Sequence, residues 1–163
     1  MLNLFCTNSK LLKKKNITDL LSLKNDHWKH GIQSQKKFFL ENIKTNDLHI
    51  LLYSEKTLIG YVCLRKHKFF TKKNKKKINY LHFDTCIIKN QFRGKNYTRI
   101  LMNFTNKIIE NFKCISILYC EKKLVSFYQK YDWKVSNEKF YNIIQSSKKK
   151  IIMTYNEKSK YKK

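Results

Sequence analysis

The sequence predicts a single α/β domain built on a mixed sheet (α+β), and two patterns carry that prediction. In residues 47–67, DLHILLYSEKTLIGYVCLRKH, two apolar runs rich in β-branched and aromatic residues flank the polar segment SEKT, which is typical of a β-hairpin. Residues 78–120 alternate strand, helix and strand, which favours a parallel pair joined by a helical crossover. With 163 residues and 42% hydrophobic content, the chain is long enough for one core and short for two.

The N-terminal part of the chain is predicted to be mainly helical. A short strand over 2–6 precedes two helical segments at 17–30 and 33–43. Asn16 or Thr18 is the expected N-cap of the first helix, because both side chains can accept a hydrogen bond from a free helical N–H.

After the hairpin, the chain is predicted to alternate strands and helices. The lysine run in FFTKKNKKK predicts a solvated loop or hairpin tip over 69–77. The remaining elements are a strand over 78–89, a helix with an apolar stripe of Ile100, Leu101, Phe104, Ile108, Ile109 and Phe112, a strand over 114–120, a short helix ending near Tyr131, and a strand over 150–156. We therefore expect one domain over 1–157 and a lysine-rich tail over 158–163.

Charge is the most unusual bulk property of the chain. The net charge is +25 at pH 7, and all but three of the 36 basic residues are lysines. One interpretation is a lysine-coated surface set by an AT-rich coding sequence, which also suits the absence of proline; the other is attraction to a polyanion. Because phosphate and base recognition favours the bidentate fork of arginine, the scarcity of arginine argues against a nucleic-acid partner.

The cysteines and the hydropathy pattern indicate a cytoplasmic protein. The five cysteines are odd in number, lack C-x-x-C spacing and lie mostly in apolar runs, so we expect free thiols in a reducing compartment and no metal site. No apolar run approaches the ~20 residues that a membrane-spanning helix needs.

The most informative segment is KNQFRGKNYTRILMNF, residues 89–104. It places a polar, basic turn around Gly94 directly before an amphipathic helix. The N-terminus of a helix presents unpaired backbone N–H groups and the positive end of the helix dipole, so this junction suits a bound anion. The alternative is a helix that begins after a turn and binds nothing.

The order of a strand, IIKNQFRGKNYTRILM, a helix, a strand and a helix containing SFYQKYDW resembles the GCN5-related N-acetyltransferase (GNAT) superfamily over residues 47–135. The resemblance implies a central, mostly antiparallel sheet with a parallel β-α-β unit that binds acetyl-CoA, and helices on both faces. It also implies acetyl-CoA as the acyl donor and an N-acetyltransferase activity, with no metal.

The resemblance assigns binding of the acyl donor, acetyl-CoA, to the turn around Gly94. In this family the turn has a motif of Arg or Gln, then any two residues, then Gly, then any one residue, then Gly or Ala. Aligned on Arg93, the two small positions fall on Asn96 and Thr98, and only the additional Gly94 remains. Asparagine tolerates a positive φ, and a threonine hydroxyl can bond a phosphate. The donor-binding residues that the resemblance implies are Ile87, Ile88, Arg93, Gly94, Lys95, Asn96, Tyr97 and Thr98.

The resemblance also implies the catalytic groups. Asp84 stands in the strand where many members carry a carboxylate, so it is the expected base that takes a proton from the acceptor amine. His82, on the same strand face, is a second possible base, and an aspartate that merely pairs with a lysine is the alternative for Asp84. Tyr128 is the expected acid at the leaving thiolate, because the pKa of tyrosine, near ~10, lies close to that of a thiol; otherwise it is a core aromatic. The backbone around Ile87 is expected to contact the acyl carbonyl.

Two departures from the family pattern follow the predicted strand over 114–120. Glu121 stands where an asparagine is common, and Asp132-Trp133 stands where Gly-Phe is usual. We expect Asp132 to adopt a left-handed turn conformation and Trp133 to fill the apolar slot of the phenylalanine.

The expected acceptor is a small-molecule amine that attacks the thioester directly. Acceptor contacts vary most in this family, and they are expected from 25–35 and 68–77, with Trp28 as a candidate beside His82, His27 and His30. A covalent cysteine route through Cys86 or Cys120 is disfavoured because neither has a His–Asp pair at recognisable spacing.

Two other functions remain open at the level of the sequence. One is CoA binding without catalysis, which the missing glycines favour. The other is a basic nucleic-acid-binding module that uses the lysine-rich loop and tail. A monomer or a homodimer is expected.

Overall fold

The computed structural model describes residues 1–70, 77–136 and 150–157 of the chain. The strands are β1 (Leu2–Asn8), β2 (Leu48–Ser54), β3 (Thr57–Phe70), β4 (Lys77–Ile88), β5 (Ile115–Cys120), β6 (Lys134–Val135) and β7 (Ile151–Tyr155). The helices are α1 (Lys14–His27), α2 (Ile32–Asn42), α3 (Tyr97–Asn111) and α4 (Val125–Gln129). None of the helices in the described residues is long and apolar enough to cross a bilayer.

The seven strands form one mixed sheet in the order β1-β2-β3-β4-β5-β7-β6. β2 pairs antiparallel with β1 and β3, and β7 pairs antiparallel with β5 and β6. β4 and β5 are parallel, with Tyr80 opposite Ile115 and His82 opposite Ile117. Since α3 connects these two strands, the predicted crossover and the predicted mostly antiparallel sheet with one parallel unit are confirmed.

The chain folds into two compact units, of which the first comprises Met1–Arg65 and Thr85–Thr105. Its core packs α1 on the sheet, with Leu20 and Leu23 of the helix clustered against Leu51 of β2. These apolar positions recur at helical spacing in α1, so the helix buries one face against the sheet. β2 is buried on both faces, because consecutive residues from Leu48 to Tyr53 are buried.

Gly60 allows β3 to approach its neighbours closely in this unit. A Cβ atom at residue 60 would lie 2.9 Å from Ile88 Cδ1, 3.2 Å from Leu101 Cδ2 and 3.3 Å from Leu52 Cβ. The register also shifts beside it, because Leu52 pairs with Gly60 while Tyr53 pairs with Leu58. The glycine therefore fills a place that no larger residue fits without movement of the side chains around it.

A buried polar cluster centres on His49 of β2 in the first unit. Its Nε2 atom lies 2.8 Å from Ser9 Oγ, and its Nδ1 atom lies 2.7 Å from the Tyr61 hydroxyl. The pKa of His49 is lowered from 6.5 to about 4, mainly by burial; the charge of Asp47 opposes this shift and the charge of Lys24 adds to it. The imidazole is therefore neutral at pH 7.

The second unit comprises Lys66–Asp84 and Asn106–Lys163, and its described core is a separate apolar cluster. Ile78 and Tyr80 of β4, Ile115 and Ile117 of β5 and Ile152 of β7 pack together there. The outer part of α3 belongs to this unit, and Phe112, just past its end, lies under Lys66 Nζ at 4.8 Å from the ring centroid.

The observed element boundaries correct three sequence predictions. α1 begins at Lys14 and not at residue 17, and Asn16 acts inside its first turn, accepting from Lys13 N–H at 3.2 Å. The other proposed cap, Thr18, lies within the helix and donates its hydroxyl to Lys14 O at 3.1 Å. In α3 the stripe is narrower than predicted, because Ile100 is 37% exposed and Phe112 is 43% exposed near the two ends of the helix.

The other predicted elements match the structure within a few residues. α2, β1 to β5, α4 and β7 all occur where the patterns placed them. The two-residue strand β6 was not predicted. The lysine run over 71–76 and the tail over 158–163 lie outside the described residues.

Candidate active site

The predicted donor turn has an unusual backbone in the first unit. A 3-10 helix over Asn90–Phe92 follows β4, Gly94 has a φ of 76°, Asn96 has a φ of 64°, and α3 begins at Tyr97. Asn96 thus holds the left-handed conformation at a position where the family usually has a small residue. A Cβ atom at Gly94 would have no neighbour within 4 Å, so the outer side of the turn is open.

Arg93 is fixed at the base of this turn by two hydrogen bonds. Its Nε atom donates to Ile88 O at 3.2 Å, and its Nη2 atom lies 3.0 Å from Nδ1 of His27, the last residue of α1. Burial lowers the pKa of His27, and the charge of Arg93 lowers it further. His27, expected from the sequence to be an acceptor contact, is therefore tied to the donor turn.

A cleft of about 490 Å³ lies between the end of α1 and the start of the turn. Its lining comprises Asn25, Asp26, Lys29, Gly31, Lys89, Asn90 and Gln91. Lys89 Nζ lies 4.0 Å from Asp26 Oδ2, so the cleft carries charges of both signs. Trp28, at the end of α1, is 37% exposed, and its ring meets the His27 ring edge-on at 4.6 Å.

Asp84 and His82 lie two residues apart on β4, in the second unit, and so share one strand face. Both are half-buried. The His82 ring centroid lies 5.7 Å from that of His67 and 5.2 Å from that of Tyr119 of β5. The hydroxyl of Tyr119 is buried and has no hydrogen-bond partner among the described residues, and burial raises the pKa of this phenol.

Tyr128 of α4 lies against the opposite face of β4 in the same unit. Its ring centroid is 6.0 Å from that of Phe83 and 6.3 Å from that of Trp133. Trp133 is 1% exposed, and its indole Nε1 donates to Asn106 Oδ1 at 3.3 Å. The expectation that Trp133 fills an apolar slot is confirmed, and Asp132 has the expected positive φ of 64°.

The pairing of β4 with β5 covers only part of the two strands. It runs from Tyr80 to His82 on β4 and from Ile115 to Ile117 on β5. β4 continues to Ile88 and β5 continues to Cys120. Asp84 and Tyr119 therefore follow the last paired positions. Beyond those positions the two strands no longer form backbone hydrogen bonds with each other.

The cysteine nearest the predicted donor residues is unsuited to be a nucleophile. Cys86 Sγ lies 3.9 Å from Met102 Sδ, and burial raises the pKa of this thiol to about 12. Burial also raises the pKa of the Cys120 thiol. Since the thiolate is the reactive form, both side chains are inert at neutral pH.

The model of the acetyltransferase (GNAT) family matches residues 16–133, and the chain belongs to this family. No curated protein matches the chain at a significant level.

Solved structures with the same fold share little sequence with the chain. An acyl-CoA N-acyltransferase from Pseudomonas aeruginosa is 16% identical, with a TM-score of 0.70 over 94% of this chain and 99% of that one. GCN5 from Tetrahymena is 13% identical, with a TM-score of 0.66 over 96% and 98% of the two chains. The PaiA N-acetyltransferase from Thermoplasma acidophilum, solved in complex with coenzyme A, is 15% identical, with a TM-score of 0.59 over 93% and 98%.

The sequence predicted a turn before α3 but gave no indication of two features of the candidate site. One is the bond from Arg93 to His27, which joins residues 66 positions apart. The other is Tyr119, whose place beside His82 depends on the register of β5. The segment ISILYC is almost entirely apolar and shows no alternation, so the sequence gave no signal for the orientation of Tyr119.

Proposed function

We propose that this GNAT-family acyltransferase uses acetyl-CoA to acetylate the amine of a small molecule by direct transfer. The observation that supports this most is the early end of β4–β5 pairing, at His82 and Ile117, in strands that both continue. Unpaired backbone N–H and C=O groups along a strand can bind the amide groups of an extended ligand.

The donor turn fits the phosphates of acetyl-CoA. Gly94 and Asn96 adopt positive φ directly before α3 begins at Tyr97, and the first N–H groups of a helix have no partner within the helix. Arg93 and Lys95 add charge, and the Thr98 hydroxyl lies in the first turn of α3. Asn96 and Thr98 therefore replace the usual small residues with groups that can themselves bond a phosphate.

The residues of the second unit supply the proton transfers in this proposal. An amine arrives protonated, and Asp84, directly or through a water, would accept that proton before nitrogen attacks the thioester carbon. The hydroxyl of Tyr128 would protonate the departing thiolate. A backbone N–H near Ile87 would stabilise the charge that develops on the acyl oxygen. Acetyl-CoA supplies an activated acyl group, and Trp28 is the proposed acceptor contact.

A calorimetric titration with acetyl-CoA tests the donor part of this proposal. We expect saturable one-to-one binding at about 0.15 M salt that inorganic polyphosphate does not reproduce. If polyphosphate binds equally well, or if salt abolishes both signals, the excess lysines and not the donor turn are responsible. Binding without turnover across a panel of amines would instead indicate a protein that binds CoA and has lost catalysis.

A further inference from the structure

The contact between Arg93 and His27 connects the donor turn to the end of α1. Arg93 uses Nη2 toward His27 Nδ1 at 3.0 Å and Nε toward Ile88 O at 3.2 Å. A guanidinium carries five N–H donors, so three remain after these two bonds. The guanidinium group is therefore bonded to two partners, while three of its N–H donors remain available for a ligand.

The chemistry of this contact fixes the protonation state of His27. An arginine only donates hydrogen bonds, so Nδ1 of His27 must accept, and the ring proton must reside on Nε2. A protonated imidazole would place an N–H against an N–H and a positive charge beside the guanidinium. The contact therefore exists only with the neutral ring.

The other charges around His27 are those of Asp26, Lys29 and Lys89, and two of them lie close to each other. Lys89 faces it from the end of β4, and Asp26 precedes it in α1, and these two side chains lie 4.0 Å apart. A small cavity brings both beside His27, Ile87 and Ile88. Arg93 is the charge that acts on the ring, through the hydrogen bond described above.

We infer that His27 is a positioning residue for the acyl donor: its neutral ring holds Arg93 with the remaining guanidinium donors facing the donor phosphates, and protonation of the ring releases the arginine and weakens donor binding. This inference rests on the proposed use of acetyl-CoA. The sign follows from the lowered pKa of His27: the contact is intact near neutral pH and is lost as the pH falls below the ordinary value of 6.5 through the lowered one.

Three proteins titrated with acetyl-CoA test this role: the wild type, His27→Ala and His27→Asn. The asparagine places a non-titrating acceptor oxygen close to the position of Nδ1. At about pH 7.5, we expect His27→Ala to bind about fivefold more weakly and His27→Asn to bind within about twofold of the wild type. Between about pH 7.5 and about pH 5, the wild type should lose affinity relative to His27→Asn. Comparing proteins at one pH cancels the titration of the phosphates of the donor.

Two results would overturn the inference while leaving the proposed function standing. Parallel pH profiles for the wild type and His27→Asn would show that the ring does not act through its charge. Tighter binding by the wild type than by His27→Asn at low pH would mean that the imidazolium contacts the phosphates itself. A wild type that never binds acetyl-CoA would overturn the proposed function instead, and circular dichroism at each pH confirms that all three proteins are folded.

Discussion

Asn96 and Asp132 each occupy a left-handed backbone position with a φ of 64°. In both cases the residue stands where the family usually has glycine or another small residue. The backbone nevertheless adopts the left-handed conformation at both positions. Asparagine and aspartate are the non-glycine residues that adopt this conformation at the lowest cost. The motif alignment could therefore predict the backbone at both positions, although their side-chain contacts could not be read from it.

Replacement of Asp132 separates the backbone effect from the loss of charge. Asp132→Gly and Asp132→Ala remove the same carboxylate, but only glycine is free of the Cβ clash at positive φ. We expect Asp132→Gly to be more stable than Asp132→Ala by about 1 kcal/mol in urea unfolding at pH 7. Equal stabilities would mean that residue 132 changes its φ at little cost.

Tyr128→Phe tests the proposed acid. The phenylalanine keeps the ring contacts to Phe83 and Trp133, so the aromatic packing and the acetyl-CoA affinity should stay close to those of the wild type. Turnover at saturating donor should fall about 100-fold, because a general acid at the leaving group is lost. Weakened donor binding with normal turnover per bound enzyme would show that Tyr128 has a packing role only.

Two single substitutions, one at Asp84 and one at His82, test which of these residues is the base. We expect Asp84→Asn to reduce turnover about 100-fold while His82→Gln changes it only a few-fold, because a carboxylate at Asp84 is the proposed proton acceptor. Steady-state rates with one amine at saturating acetyl-CoA measure both. The reverse order of effects would assign the base to His82, which packs beside Tyr119.

At the level of elements, the sequence predicted every strand longer than two residues in the described part of the chain, because each carries a clear apolar or alternating run. It missed β6 because Lys134–Val135 is too short to show a period. The start of α1 was misplaced because its first turn, which begins at Lys14, is polar and shows no apolar period; the hydrogen bonds from Lys13 N–H to Asn16 and from Ile17 N–H to Lys13 O define it in the structure.

The close approach of β3 predicts a sharp size limit at Gly60. Gly60→Ala should reduce the free energy of unfolding by about 1–3 kcal/mol, because the new methyl group would lie 2.9 Å from Ile88 Cδ1. Ile88→Val removes that Cδ1 atom, so the double variant should lose less stability than the sum of the two single variants. Urea denaturation of the four proteins gives the coupling; simple additivity would place the clash elsewhere, at Leu52 or Leu101.

On the scale of the whole molecule, the composition determines the net charge but does not reveal the functional role of that charge. The +25 net charge is compatible with a solvated surface and with attraction of an anionic donor. The contacts that organise the donor turn join distant parts of the chain, as Arg93 and His27 show at a separation of 66 residues. Such pairs have no local signature, so the turn could be predicted from the sequence whereas its contact with His27 could not.

The pH dependence of global stability should be dominated by His49 in the mildly acidic range. Its folded pKa, about 4, lies below the unfolded value of 6.5, so the unfolded chain binds the proton more tightly and stability falls as the pH drops from 6.5 toward 4. Between about pH 7 and about pH 5 we expect a loss of about 2 kcal/mol.

Urea unfolding at the two pH values measures that loss. The matched control is His49→Gln, which keeps hydrogen-bonding groups near Ser9 and Tyr61 but does not titrate. This variant should be less stable at neutral pH and should show a smaller difference between the two pH values. A difference as large as that of the wild type would assign the acid sensitivity to other histidines.

Because the parallel pairing of β4 with β5 is short, we expect the two parts of β4 to differ in their rates of amide hydrogen exchange. Up to His82, amides that face β5 are bonded across the pair, so their hydrogens exchange only when the strands separate. Beyond His82, amides on that side lack this protection and exchange through local solvent access. A ligand bound along the unpaired part of β4 would accept hydrogen bonds from these amides, so the slowing of their exchange would measure the fraction of protein molecules that hold the ligand.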